Sequence, residues 1–345
     1  MKRVHLAVAA TLLLSTGGCA TLPDLRSSKT DFIVIGDTPY DDVDRAMLSR
    51  ALPLIKAQKP AFILHVGDIQ SGGEVCGPPD DKFAQLLTEL KPIPVIYTPG
   101  DNEWTDCDRK DDPTTGRKFS ELQRLQTLRT RFFSAPALSH GRWRYTQQAE
   151  QPENARFEYK GLVFVTVHAV GTNNGRNFVM GDDPQAVAKA ADARDAADVS
   201  WLHAAFTEAR RRKARGVVVV MQADMTAVLT KAFGVPCTDA IADEHRLCDG
   251  HLPVRSALVE EARTFPGKVI LIHGDTEPFT LSRGDVAGRS PEDTTPDLWR
   301  LNAAGDAGEK DGKSWGVRDV TAVTIDPSQP DPVSAHGLTT GKSPE

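Results

Sequence analysis

Apolar residues run through this chain in two alternating rhythms. Short, largely apolar runs sit at Phe32–Ile35, Ala61–Val66, Pro94–Tyr97, Leu162–Val167, Val217–Met221 and Val269–Ile272. Runs of this length, bounded by Gly, Pro or Asp, predict buried β-strands. Between them apolar residues return at helical spacing over residues 43–58, 83–90, 119–133, 199–212 and 254–262. Alternation from Val317 to Ile325 predicts one more strand. Strands alternating with helices predict a layered α/β fold. No repeat of fixed period is visible. Residues 104–118 and 222–250 are longer than simple connections, and loops of that length often carry function. From Pro327 the chain turns rich in Pro, Ser and Gly, and residues 327–345 are expected to be a disordered tail.

The N-terminus breaks both rhythms. Lys2 and Arg3 precede an apolar run from Val4 to Leu14, followed by Ser15, Thr16, Gly17, Gly18 and Cys19. A charged start, a short apolar stretch and small residues form an export signal, and the apolar run is too short to span a bilayer. Cys19 after two glycines resembles a bacterial lipobox, although Thr16 stands where Leu is usual. Residues 1–19 are therefore expected to be a signal peptide, with lipid on Cys19 as the membrane attachment and plain secretory cleavage near Ala20 as the alternative. Residues 20–30 read as a linker. The expected location is the bacterial periplasm or cell envelope.

Four cysteines remain beyond Cys19: Cys76, Cys107, Cys237 and Cys248. An even count in an oxidising compartment points to disulfides. The favoured pairs are Cys76–Cys107, tying two motif loops together, and the local Cys237–Cys248. No two lie at close zinc-ligand spacing. The net charge of -6 becomes -8 once the two positive charges of Lys2 and Arg3 are removed. An acidic chain without a basic face gives no sign of nucleic-acid binding. The basic run Arg210–Lys213 closes a predicted helix, where it suits the helix dipole.

The chemistry lies in Gly-Asp doublets, of which the chain has seven. Four follow apolar runs directly or nearly so: Gly36-Asp37, Gly67-Asp68, Gly100-Asp101 and Gly274-Asp275. The strand ending at Met221 runs into Gln222-Ala223-Asp224. Ligands of open α/β sheets bind beyond the strand C-termini. Five strands delivering oxygen ligands to one edge outline a metal site.

In order and spacing these segments resemble the calcineurin-like metallophosphoesterase superfamily, over roughly residues 31–326. The resemblance implies a four-layer α/β/β/α sandwich, with two mixed β-sheets flanked by helices. It also implies one or two divalent metal ions and a small phosphorylated substrate. Asp37 matches the first metal ligand of that family, with Pro39 where its first His would be. Asp68 matches the carboxylate that bridges two metals. Asp101 takes the place of a ligand Asn, and Gln222 that of a ligand His. Asp275 and Glu277 fall where the last two His ligands would stand. Asn102 takes the place of the His that helps protonate the leaving group, and His273 lies just before the last motif, able to serve instead. His168, at a strand end, is a further candidate.

The departures shift the site from imidazole toward oxygen, which favours Mn, Mg or Ca over Zn or Fe. Asn102 can hydrogen-bond a phosphoryl oxygen but cannot donate a proton as an acid. Two functions are therefore expected to compete: a metal-dependent hydrolase of phosphoesters or phosphoanhydrides, and a binding protein of the same fold with weak or no turnover. Tyr40 and the polar loop Asn173-Asn174-Arg176 are the remaining groups that could reach substrate.

Overall fold

The computed structural model describes residues 29–345, apart from 140, 230, 238–246, 277, 285–294, 296, 311 and 312. The signal segment, Cys19, the linker up to residue 28 and Glu277 lie outside the described residues.

Two mixed sheets form the middle of the molecule. The first has five strands in the order β14-β13-β1-β2-β3: β14 (Val333–Gly337), β13 (Thr321–Ile325), β1 (Thr30–Ile35), β2 (Ile63–His65) and β3 (Val95–Tyr97). Strands β1, β2 and β3 run parallel, while β13 pairs antiparallel with β1 from Thr30↔Ile325 onward. The second has seven, in the order β4-β5-β6-β7-β8-β10-β9. Its parallel centre is β6 (Leu162–Thr166), β7 (Gly216–Val220), β8 (Lys268–His273) and β10 (Leu298–Asn302). Antiparallel β4 (Thr146–Gln147), β5 (Ala155–Tyr159) and β9 (Thr280–Arg283) extend it. A hairpin of β11 (Ala307–Lys310) and β12 (Lys313–Gly316) stands apart.

The two-residue period of a strand builds the layers. Phe32, Val34, Phe62 and Leu64 of the first sheet meet Phe157, Phe164, Val218, Val220, Ile270 and Ile272 of the second in one inter-sheet core. Phe62 is its hub, with ring centroids of Phe32, Phe157 and Phe164 at 5.2, 5.1 and 5.0 Å. The intervening residues face outward. Ile33, Ile35 and Ile63 pack under α1 (Asp42–Gln58) and Leu86 of α2 (Pro78–Glu89). Val163, Val165, Val217 and Val219 pack under α5 (Pro184–Arg212) and α6 (Leu252–Thr264). Both faces of β1, β2, β6, β7 and β8 are thus buried, which is why these strands read as largely apolar runs. The result is the expected four-layer α/β/β/α sandwich of two mixed sheets. Helix α3 (Glu121–Phe132) lies beside the site region, capped by Ser120.

Both expected disulfides are present, Cys76–Cys107 and Cys237–Cys248. Two expectations are corrected. The helix read over 199–212 begins at Pro184, capped by the Asp183 side chain. The tail expected to be disordered is structured. Val333 and Ala335 are buried in β14, and Glu345 exchanges backbone hydrogen bonds with Phe279 and Leu281. Its anchor is the buried carboxylate of Asp319, which accepts the N–H groups of Val320, Thr339 and Thr340 and the Thr340 hydroxyl. Composition pointed to a loose tail because one short alternating strand is outweighed by Pro, Ser and Gly around it.

Asp319→Ala would strand those donors in the interior. It is expected to cost about 2–4 kcal/mol, at roughly 1–3 kcal/mol for an orphaned buried donor. Deletion of residues 327–345 should also lower the midpoint of urea unfolding. An unchanged midpoint for either variant would mean the segment contributes nothing to the fold.

Candidate metal centre

The four selected Gly-Asp doublets lie at the C-terminal ends of β1, β2, β3 and β8, with Gln222 just beyond β7. Three of these strands belong to the first sheet and two to the second, so the site is built where the two sheets meet. Asp37, Asp68 and Asp275 take left-handed backbone conformations, with φ of 50°, 55° and 74°. Asp enters this region more readily than most residues, but still at a cost. Glycine's part lies mainly in its missing side chain. A Cβ on Gly100 would stand 2.0 Å from Asp68 Oδ1, and one on Gly274 would stand 2.0 Å from Asp37 Oδ2.

Carboxylate oxygens of Asp68, Asp101 and Asp275 lie within 4.8 Å of one another. Asp37 flanks them, its Oδ1 accepting the Asp275 N–H at 2.8 Å and the Tyr40 hydroxyl at 3.4 Å. Tyr40 also lies 2.8 Å from Asp68 Oδ2 and accepts the Asn102 amide at 3.2 Å. The Asn102 backbone N–H donates to Asp68 Oδ1 at 3.3 Å. Asn102 therefore sits at the rim of the cluster.

Gln222 occupies the centre in an unexpected orientation. Its Oε1 accepts the Gly171 N–H at 2.6 Å, which leaves the amide Nε2 facing Asp101, Asp275 and Asp68 at 3.0, 3.1 and 3.3 Å. It was expected to be an oxygen ligand, but here it is a hydrogen-bond donor to the carboxylates. A backbone N–H accepts nothing, and this fixes which end of the amide faces the site.

His273 does not join the cluster. Its Nε2 accepts from Arg300 Nε at 2.8 Å, and its Nδ1 lies 2.7 Å from the Gly274 carbonyl. A neutral imidazole with Nδ1–H donating and Nε2 accepting satisfies both contacts and leaves no proton for a substrate. Arg300 also pairs with Asp224, whose other oxygen accepts the Thr276 hydroxyl. The position expected to supply an acid is thus part of a buried brace behind Asp275. His168 is likewise enclosed, 2.9 Å from Glu153 and tilted against Trp104.

The loop expected at Asn173-Asn174-Arg176 holds the site without entering it. The short turn α4 (Gly171–Gly175) is left-handed from Thr172 to Gly175, with φ between 52° and 68°. Left-handed turns cost roughly 1–2 kcal/mol per L-residue. Buried contacts offset this. Asn173 Oδ1 accepts the Gly250 N–H, and Asn174 Nδ2 donates to Asp195. Arg176 pairs with Asp192 and Asp195. The turn places the Thr172 hydroxyl 2.6 Å from Asp101 Oδ2 and 2.9 Å from Asp106 Oδ1. Thr172 and Asp106 escaped sequence reading. The run Asn173-Asn174-Gly175, tolerant of left-handed backbone, was the available signal.

The electrostatics follow from burial. Desolvation, then the repulsion of Asp101, pushes Asp68 and Asp275 well above the usual carboxylate range. Desolvation, with Asp101 again adding repulsion, lifts Asp37 and Glu103 to about 7 and Asp106 to about 8. The nearby guanidinium groups are engaged elsewhere, Arg109 with Asp106 and Arg300 with Asp224. Among the described residues no ion pair reaches Asp37, Asp68, Asp101 or Asp275. Crowded, desolvated, all-oxygen carboxylates without a protein counter-charge fit a divalent cation. Asp68, Asp101 and Asp275 would hold it, with Asp37 alongside.

The sign of the pH dependence follows. Carboxyls held near 7–8 in the fold and near 4 when unfolded bind more protons in the fold between those values. Their contribution is complete below about pH 4 and is lost as pH rises through about 7–8. Chelator-treated protein should therefore melt at lower temperature at about pH 8 than at about pH 5. Saturating Mn should flatten that fall. A melting temperature that rises over this range and ignores Mn would contradict the assignment.

No curated protein matches the chain. Among solved structures it is similar to "GAP50 the anchor in the inner membrane complex of Plasmodium", at 12% identity and a TM-score of 0.44, covering 91% of this chain and 86% of that one. It is also similar to TT1561 of Thermus thermophilus, at 8% identity and a TM-score of 0.39, covering 90% and 99%. The family model for calcineurin-like phosphoesterases matches residues 30–210, more than half of the chain. Those residues carry Asp37, Asp68 and Asp101, the first three carboxylates of the cluster, and on this match the chain belongs to the calcineurin-like phosphoesterase family.

Proposed function

We propose that this protein is a metal-dependent hydrolase of small phosphoesters or phosphoanhydrides, exported to the cell envelope and held there by lipid on Cys19. The observation that carries the reading is the triad of Asp68, Asp101 and Asp275, with oxygens within 4.8 Å at the meeting edge of two sheets. Its oxygen-only chemistry favours Mn, Mg or Ca. When bound, such an ion lowers the pKa of a nearby water and neutralises phosphoryl charge. The rest belongs to the chain. Asn102 and Tyr40 place an amide and a hydroxyl beside Asp68, suited to orient a phosphoryl oxygen. A cleft of about 160 Å³, lined by Asp37, Tyr40, Asp275, Phe279, Asp306 and Val317, leaves room for a small substrate group. Export is supported by the N-terminal pattern and by two disulfides, which persist in oxidising compartments.

With His273 and His168 both engaged, neither of these two imidazoles protonates the leaving group. This favours phosphoanhydrides and aryl esters, whose leaving groups depart without an acid, over alkyl esters. The inward-facing amide of Gln222 supports a second reading, in which the centre binds without turnover.

Purified residues 21–345 should hydrolyse aryl phosphates or pyrophosphate-type substrates with Mn, Mg or Ca. Asp68→Asn should lower that rate by roughly 10²-fold or more. Stoichiometric metal without turnover on such a panel would leave the binding reading, and no bound metal would sink both. Asn102→His should raise alkyl-ester hydrolysis selectively, because general acids contribute roughly 10²–10⁴-fold. An unchanged aryl-to-alkyl ratio would show that this position does not face the leaving group. A Cys19→Ser variant that stays membrane-bound in cells would exclude the lipid.

A further inference from the structure

The 3-10 turn Thr105–Arg109, which carries Asp106, ends in a partly exposed arginine. Arg109 Nη1 lies 2.7 Å from Asp106 Oδ2, and 41% of the arginine side chain is exposed. Among the described residues its guanidinium has no other polar partner. The other arginines that border the cluster are enclosed, Arg124 on Asp80 and the Glu103 carbonyl, Arg300 on Asp224 and His273. Arg109 is the one that keeps donors for a group from solution.

Gly72 shows how near this guanidinium comes to the site. A Cβ on Gly72 would stand 2.6 Å from Asn102 Oδ1, 2.7 Å from Arg109 Nη1 and 2.7 Å from Asp106 Oδ2. Three polar side chains thus converge on one point, which a residue larger than glycine would fill. The arrangement is held from several directions. The Cys76–Cys107 disulfide ties the loop of Gly72 to the turn of Arg109. The Asp106 N–H donates to the Asp101 carbonyl at 3.0 Å, and Asp106 shares the Thr172 hydroxyl with Asp101. Asn102 donates its amide to Tyr40, while its oxygen faces Gly72 and Arg109. Arg109 therefore stands one side chain beyond Asn102 as seen from Asp68, outside the cleft lined by Asp37, Tyr40 and Asp275.

We infer that Arg109 binds the departing phosphate of a phosphoanhydride substrate and so selects anhydrides over aryl esters, an inference that rests on the Asp68 cluster being a hydrolytic metal centre. A guanidinium one residue removed from the carboxylates meets a second anionic group rather than the phosphoryl group under attack. Its planar fork suits phosphate oxygens. Asn102, which adjoins it, has no acidic proton for a leaving group. A leaving phosphate is ionised at neutral pH and needs a counter-charge more than a proton. In the reaction the water oxygen bonds to the attacked phosphorus as the bridging P–O bond breaks. The electron pair of that bond leaves on the second phosphate, beside Arg109. One proton of the water stays on the new P–O–H group and the other passes to solvent.

The test compares inorganic pyrophosphate with p-nitrophenyl phosphate, which has no second phosphate, as substrates of the purified protein with Mn. Arg109→Ala should lower kcat/KM for pyrophosphate roughly 10–100-fold, the range of a hydrogen bond to a charged group. The same variant should keep kcat/KM for p-nitrophenyl phosphate within about twofold and leave Mn affinity unchanged. Arg109→Lys should recover part of the loss. Gly72→Ala should also slow pyrophosphate selectively, because its Cβ would displace the guanidinium. Equal losses on both substrates would show that Arg109 only braces Asp106. That result overturns the inference, as does no loss on either substrate or a parent that hydrolyses only p-nitrophenyl phosphate. Should neither substrate turn over, the hydrolase reading fails and calorimetric binding with Mn decides. Arg109→Ala should then weaken pyrophosphate at least about tenfold and leave orthophosphate within about twofold. Pyrophosphate that binds no more tightly than orthophosphate, or a variant that weakens both alike, overturns the inference. Should Arg109→Ala fail to fold, Arg109→Gln, which keeps a donor for Asp106 without the charge, is read in the same way.

Discussion

The mutual repulsion of buried carboxylates at the junction of the two sheets is the constraint to which the rest of the molecule answers. Asp37, Asp68, Asp101 and Asp275 come from four strands and would not stay together without compensation. The inter-sheet core supplies part of it, since Phe62 and its neighbours hold the sheets in register whatever the charges prefer. The fixed dipoles around the cluster supply another part. Gln222, Tyr40 and Thr172 all turn hydrogens toward it, and each is held by a second contact. The left-handed turn Thr172–Gly175 and the left-handed aspartates show that backbone comfort yields to this arrangement. Local strain is tolerated where surrounding structure over-determines it.

Much of this was legible in the sequence, for a definite reason. The inner strands are buried on both faces, so their residues are largely apolar, and β1, β2, β3 and β8 each run into a turn marked by Gly-Asp. Five site positions could therefore be placed on strand ends without knowing the pairing order. The strands that escaped notice, β4, β5, β9 and β14 among them, are short and half covered. At two to five residues each, they are too short for a period-two pattern to stand out.

Side-chain direction was less legible than position. His273 adjoins the last motif, but strand periodicity turns successive residues to opposite faces. Ile272 points into the inter-sheet core, and His273 meets Arg300 from the neighbouring strand. Gln222 sits where a ligand was expected, yet the Gly171 N–H claims its oxygen. Neither outcome can be read from spacing, because each depends on a group more than twenty-five residues away.

The pairing of β1 with β13 sets an order of events for a chain that emerges from its N-terminus. Thr30 finds its partner at Ile325, so the first strand of the sandwich waits for nearly the last. Until then one edge of the β1-β2-β3 ribbon is open and apolar, the state most exposed to mispairing. The aspartates at its tips help in that interval. Before the second sheet docks they are hydrated and charged, and charge at the tips of an open sheet opposes pairing with another chain. What the finished site must neutralise, the unfinished chain can use.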